Sequence, residues 1–211
     1  MTKAVVITGH PEEGVLWAGG SIIKNPSWDW FVISLCESGD EVRSRQFESA
    51  LTEIGIKGKI GNLSDGEEEP APELASIQEA ILAHLPQTEV DLIITHDPYN
   101  SGYSKYKFTK KLGQAVVELW KSKALQTTHL WTFAYTDRGG RGGPKVFKKA
   151  DYSIKLVPTV WSKKNLMITG PFRYDSKSYE TKIAPHTESF RCFKTSEDAD
   201  CYCSTGERKP V

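Results

Sequence analysis

Ala4-Val5-Val6-Ile7-Thr8-Gly9-His10-Pro11-Glu12-Glu13 opens the regular structure of this 211-residue chain. A short run of apolar and β-branched residues broken by Gly, His and Pro has the pattern of a parallel strand, buried on both faces, that ends in a polar loop. Gly19-Gly20-Ser21-Ile22-Ile23 then reads as part of a helix, and Trp30-Phe31-Val32-Ile33-Ser34-Leu35 as a second buried strand. Working outward, residues 40–54 carry Val42 and then space Phe47, Ala50, Leu51 and Ile54 at mixed three- and four-residue steps, with Gly55 as a stop, and are predicted helical. Strands are expected at 57–63, 90–95 and 129–135, and helices at 73–85 and 108–125. This alternation implies an α/β fold, a mostly parallel sheet with helices on both faces. The Gly-rich stretch 138–144 is expected to be a surface loop, with apolar patches at 152–160 and 166–168. A single domain is expected over 1–193, followed by a polar, flexible tail over 194–211.

Composition narrows the function classes. Twenty-seven basic and 27 acidic side chains cancel, so nothing in the overall charge calls for nucleic acid or an anionic membrane. No stretch approaches the roughly 20 apolar residues that span a bilayer, and the first residues lack the apolar region of a signal peptide. The expectation is a cytoplasmic protein. Three of the four cysteines (Cys192, Cys201, Cys203) crowd the end of the chain, so a disulfide framework is not expected to hold the fold.

In an open parallel sheet, ligands bind beyond the carboxyl ends of the strands. The first such loop, Gly9-His10-Pro11-Glu12-Glu13, puts an imidazole and two carboxylates within four residues. That set can supply two metal ligands, His10 and Glu13, and a general base, Glu12. The structural alternative is that both glutamates simply face a helix N-terminus. The glycines here do not form the G-x-G-x-x-G pattern of a dinucleotide site, which disfavours a nicotinamide enzyme. The other loops at this edge carry Cys36-Glu37-Ser38-Gly39-Asp40, Ser64-Asp65-Gly66 and His96-Asp97-Pro98-Tyr99-Asn100-Ser101-Gly102-Tyr103.

Several of these segments, in order, resemble landmarks of the LmbE-like, or PIG-L, family of zinc-dependent N-acetylglucosamine deacetylases. They are Gly9-His10-Pro11-Glu12-Glu13 through Gly19-Gly20, Cys36 to Asp40, Arg45-Gln46-Phe47-Glu48, Ala50-Leu51 to Gly55-Ile56, the Asp65 loop, and the strand 91–95 with its loop to Gly102. The resemblance covers about residues 3–135 and implies a Rossmann-like deacetylase fold. It also implies a metal-dependent hydrolase, with zinc as cofactor and a small N-acetylated sugar or related amide as substrate. On that basis His10 and Glu13 would be zinc ligands and Glu12 the base, with Arg45 and Asp65 as substrate contacts. Tyr103, whose ring can stack on a sugar face, and Asn100 in the same loop are further candidate substrate contacts.

The chain departs from the family at three places. Both acidic residues of the first motif are Glu where the family has Asp. The family's Gly-His-Pro-x-His appears as Gly102-Tyr103-Ser104-Lys105-Tyr106, so the third ligand position falls on Tyr106. A neutral phenol is a poor zinc ligand, and His96 or Asp97 is an alternative third ligand. His186 resembles a late family histidine that holds the oxyanion. The competing expectation is a family member that has lost zinc and catalysis and binds a sugar or a protein partner.

Overall fold

The computed structural model describes residues 1–64, 71–99, 107–136, 145–146 and 150–206. Strands β1 (Lys3–Thr8), β2 (Asp29–Cys36), β3 (Lys57–Leu63), β4 (Glu89–Thr95) and β5 (Gln126–Phe133) pair in parallel in the order β3-β2-β1-β4-β5. Val5 lies opposite Phe31 on one side and Ile93 on the other. The first helices, α1 (Glu13–Lys24) and α2 (Glu41–Glu53), connect β1 to β2 and β2 to β3. Helices α3 (Leu74–His84) and α4 (Lys107–Lys121) follow β3 and β4. The chain therefore reverses direction between β1 and β4, the switch point where doubly wound sheets open a crevice.

Alternate side chains of β1 sort the core into two layers. Ala4 and Val6 pack with Val15, Leu16, Phe47 and Leu51 under α1 and α2, whereas Val5 and Ile7 pack with Ile77, Ile81, Leu112 and Val116 under α3 and α4. Every residue of β1 after Lys3 is buried, as the uninterrupted apolar run requires. Gly55 ends α2 as expected: it takes φ 69°, its N–H donates to the Thr52 carbonyl, and the Ile56 N–H donates to the Leu51 carbonyl. That pair of bonds is a Schellman cap.

Beyond residue 136 the structure adds what the sequence pattern did not show. A two-residue strand β6 (Tyr135–Thr136) pairs with β7 (Lys145–Val146). The apolar patch at 152–160 divides between β8 (Tyr152–Lys155) and the start of α5 (Pro158–Thr169), which also takes in 166–168. A short α6 (Tyr179–Ile183) leads into β9 (Thr187–Phe193). β9 inserts between β5 and β8 and runs antiparallel to both, completing a seven-stranded mixed sheet.

Part of the stretch expected to be a flexible tail is helix α7 (Ser196–Thr205), packed on α4 and β9. Thr195 caps it through the Asp198 N–H, and Ala199 and Tyr202, three apart, are buried. A single buried face of this kind is enough to dock a helix whose other residues are polar. None of the four cysteines forms a disulfide. No helix of the described residues is long and apolar enough to cross a membrane.

Candidate active site

The loop after β1 turns directly into α1. Glu12 is the N-cap residue, yet its side chain makes no capping bond. The Glu13 side chain instead folds back over its own loop: its Oε2 accepts from the Gly9 and His10 N–H groups at 2.9 Å each. The same oxygen stands 3.1 Å from His96 Nε2 and 3.8 Å from His10 Nδ1. His96 comes from the end of β4, so the two strands at the switch point are joined by this carboxylate. α4 presses on the loop behind His96, since a Cβ on Gly113 would come within 2.5 Å of the His96 carbonyl oxygen.

Burial alone would raise the carboxyl of Glu13. The charges and hydrogen bonds of His96 and His10 outweigh it and hold the group well below the usual carboxylate range. Glu13 Oε1 has no hydrogen-bond partner among the described residues and is not a buried orphan, so it opens toward the cleft that Glu13 lines.

Glu12 lines the same cleft and is held from α2. Its Oε2 meets Nη2 of Arg43 on α2, and its Oε1 likewise has no hydrogen-bond partner among the described residues. Burial, assisted by Glu13, pushes its carboxyl up against the opposing pull of Arg43 and His10. Arg43 stays cationic, because Glu12, Glu37 and Tyr174 overcome the cost of its burial. These groups border a cleft of about 370 Å³ whose outer wall carries Tyr174, Tyr179 and Glu180 from the segment around α6. Larger clefts of about 750 and 550 Å³ lie at the amino ends of β1, β4 and β5 beside Met1 and Asp91. That is the edge where an open α/β sheet does not place its ligands, and the chemistry converges on the smaller cleft.

The structure thus brings together His10, Glu12, Glu13 and His96. It does not bring Arg45. That side chain is 71% exposed beside Glu41, and Arg43 occupies the cleft in its place. Helical geometry gives the reason: Arg43 continues the buried stripe of Phe47 and Leu51 at four-residue steps, whereas Arg45 points to the opposite face. A charged residue in a buried stripe was the signal in the sequence. Tyr174 and Glu180 carried no comparable signal. Asp65, Asn100, Tyr103 and Tyr106 lie outside the described residues.

Asp97, an alternative ligand, is engaged elsewhere. Buried beside Arg191, it accepts from the Tyr202 hydroxyl at 3.0 and 3.2 Å. The ring of His186 stacks on Trp161 at 3.6 Å and is not part of the cleft lining.

His10 and the open oxygen of Glu13 offer two of the three protein ligands that a catalytic zinc takes. Among the described residues no group of three or more His, Cys, Asp and Glu side chains gathers around one metal position. The residues therefore fit zinc as a pair and not as a complete centre.

The fold is that of the LmbE-like deacetylases. N,N'-diacetylchitobiose deacetylase from Pyrococcus horikoshii superposes with a TM-score of 0.64 at 13% identity, over 92% of this chain and 84% of its own. The zinc-inhibited form of teicoplanin deacetylase superposes with a TM-score of 0.60 at 11% identity, over 90% and 96%. The 4-carboxy-2-hydroxymuconate hydratase of Pseudomonas putida has the same fold, with a TM-score of 0.56 at 12% identity over 91% and 96%. By sequence, no family model and no curated protein matches.

Proposed function

We propose that this chain is a deacetylase-like hydrolase that cleaves the amide of a small N-acetylated molecule, an amino sugar foremost. The observation that carries the reading is the open Oε1 of Glu12 at the switch-point cleft, with its other oxygen held by Arg43. Deacetylases and a hydratase of this fold all add water to a substrate, and a carboxylate held on one side and open on the other suits proton transfer to and from water.

In this reading, Glu12 takes a proton from a water in the cleft as the water oxygen attacks the acetyl carbonyl carbon. When the C–N bond breaks, Glu12 returns that proton to the leaving amine, giving acetate and a free amino group. A carboxyl raised by burial is better matched to accepting and then donating a proton near neutrality than an exposed one. His10 and Glu13 are the pair that would hold a zinc ion, and Tyr106, the third-ligand position of the resemblance, lies outside the described residues. Zinc when bound would polarise the carbonyl and acidify the water. The neutral overall charge agrees with a small-molecule substrate and not a nucleic acid.

The test incubates the protein, with and without added zinc, with N-acetylglucosamine and N,N'-diacetylchitobiose, and measures acetate and free amine. Equal yields of the two are expected from the wild type. Glu12→Gln should lose turnover by about 100-fold or more while remaining folded. Turnover retained in Glu12→Gln removes Glu12 from the mechanism. No acetate from any N-acetylated probe under either condition overturns the hydrolase reading in favour of a binding pocket without chemistry.

A further inference from the structure

Arg43 is the arginine of the cleft, and its guanidinium is engaged on every edge. Nη2 meets Glu12 Oε2, Nε donates to Glu37 Oε2 at 2.7 Å, and Nη1 donates to Gln46 Oε1 at 3.2 Å and to the Tyr174 hydroxyl at 3.3 Å. The plane also lies over the Phe172 ring, 5.8 Å from its centroid. These partners come from the loop after β1, the loop after β2, α2 itself and the segment between α5 and α6. Glu37 holds its end of the fork from φ 75°, a left-handed backbone that residues other than glycine rarely adopt. An arginine fixed by a strained neighbour and three other elements is not free to turn toward an incoming ligand.

We propose that Arg43 is a positioning residue: it pins one oxygen of Glu12 so that the other faces the cleft, and it does not bind substrate. The inference rests on the hydrolase reading for the role of Glu12. A planar guanidinium suits this work because its fork fixes direction as well as charge. Small misplacements of a reacting group are costly, on the order of 100-fold for about an ångström.

Two readouts test it on the full chain. In the first, a water-soluble carbodiimide with glycinamide labels accessible carboxylates, and peptide mass spectrometry compares Glu12 with Glu13 as internal reference. Arg43→Ala should raise labelling of Glu12 several-fold and leave Glu13 unchanged. In the second, Arg43→Ala should lower kcat on an N-acetylated probe by about 100-fold with little change in KM, with partial recovery on adding guanidinium. Arg43→Lys should recover less than the wild type, since it restores charge without the fork.

Unchanged labelling of Glu12, or a raised KM with kcat intact, overturns the proposal and makes Arg43 a substrate contact or a purely structural residue. If Arg43→Ala does not fold, Glu37→Gln keeps Arg43 and loosens one side of the clamp. It should give the same labelling change in smaller measure, and no change overturns the proposal equally. If the wild type hydrolyses no probe, the hydrolase reading falls, while the labelling still decides whether Arg43 holds Glu12.

Discussion

Glu13 Oε2 stands 3.1 Å from His96 Nε2, and the same oxygen closes the loop after β1 by accepting from two backbone N–H groups. One side chain therefore shapes the loop and ties β1 to β4. Glu13→Ala leaves those N–H groups without their acceptor and should cost about 2–4 kcal/mol. Glu13→Gln keeps an amide oxygen for the loop and should cost roughly half as much. Urea denaturation of the two variants against the wild type checks the order; equal stabilities would show that the loop does not depend on this carboxylate.

Zinc should bind the pair His10 and Glu13 weakly. At roughly five times its Kd, a ligand specific to the folded state adds about 1 kcal/mol, which for a chain of this size raises Tm by about 2–4 °C. His10→Ala should abolish the rise. Thermal melts over a zinc series, with metal content measured on the same samples, test this. An equal rise in His10→Ala would place the zinc elsewhere.

Lys164 and Glu188 form an ion pair in which neither side chain is exposed. Glu188 also accepts from the Gly20 and Ser21 N–H groups and from the Ser21 hydroxyl, so three further donors converge on this carboxylate. Lys164→Met should destabilise by about 3–5 kcal/mol, because it leaves a buried carboxylate without its cation. Adding Glu188→Gln should make the double variant less unstable than the sum of the two singles. A double-mutant cycle by chemical denaturation reads that coupling, and simple additivity would contradict the pairing.

Tyr202 carries α7 into the fold through its hydroxyl bonds to Asp97 and through the Arg191 guanidinium over its ring at 4.5 Å. Tyr202→Phe keeps the ring and removes a hydrogen bond to a charged group, a loss of about 1.5–3 kcal/mol. Hydrogen exchange should quicken in α7 and in the Asp97 turn together. Faster exchange in α7 alone would show that the helix does not hold the turn.

The first two-thirds of the fold was legible because its strands are apolar on both faces and its helices are punctuated, as at Gly55. β9 was not, and the reason is local. Thr187-Glu188-Ser189-Phe190-Arg191-Cys192-Phe193 is a strand paired on both sides, next to the edge of the sheet, that contains two buried charged residues, each with a partner distant in the sequence. Pattern reading takes charge as exposure, so such a strand looks like surface. α7 was hidden likewise, since its buried face is mainly Ala199 and Tyr202 amid polar neighbours.

At the site, the loop residues His10, Glu12 and Glu13 followed from type and spacing, and the structure brings them together. Arg43 was displaced to Arg45 because a linear motif does not state which face of a helix is turned inward. Tyr174 and Glu180 reach the cleft only through tertiary packing.

Gly20 is where α1 meets the antiparallel part of the sheet: a Cβ there would lie 2.4 Å from the Leu156 side chain, and its N–H donates to Glu188 on β9. The helix that begins with Glu13 is thus bonded at its middle to the strand that completes the sheet. Peeling β8 and β9 away would strip the partners from a buried ion pair and from two backbone donors of that same helix. The parallel and antiparallel halves should consequently melt as one cooperative unit, and the loop bearing Glu12 inherits its rigidity from an edge of the sheet formed by a part of the chain far from it in sequence.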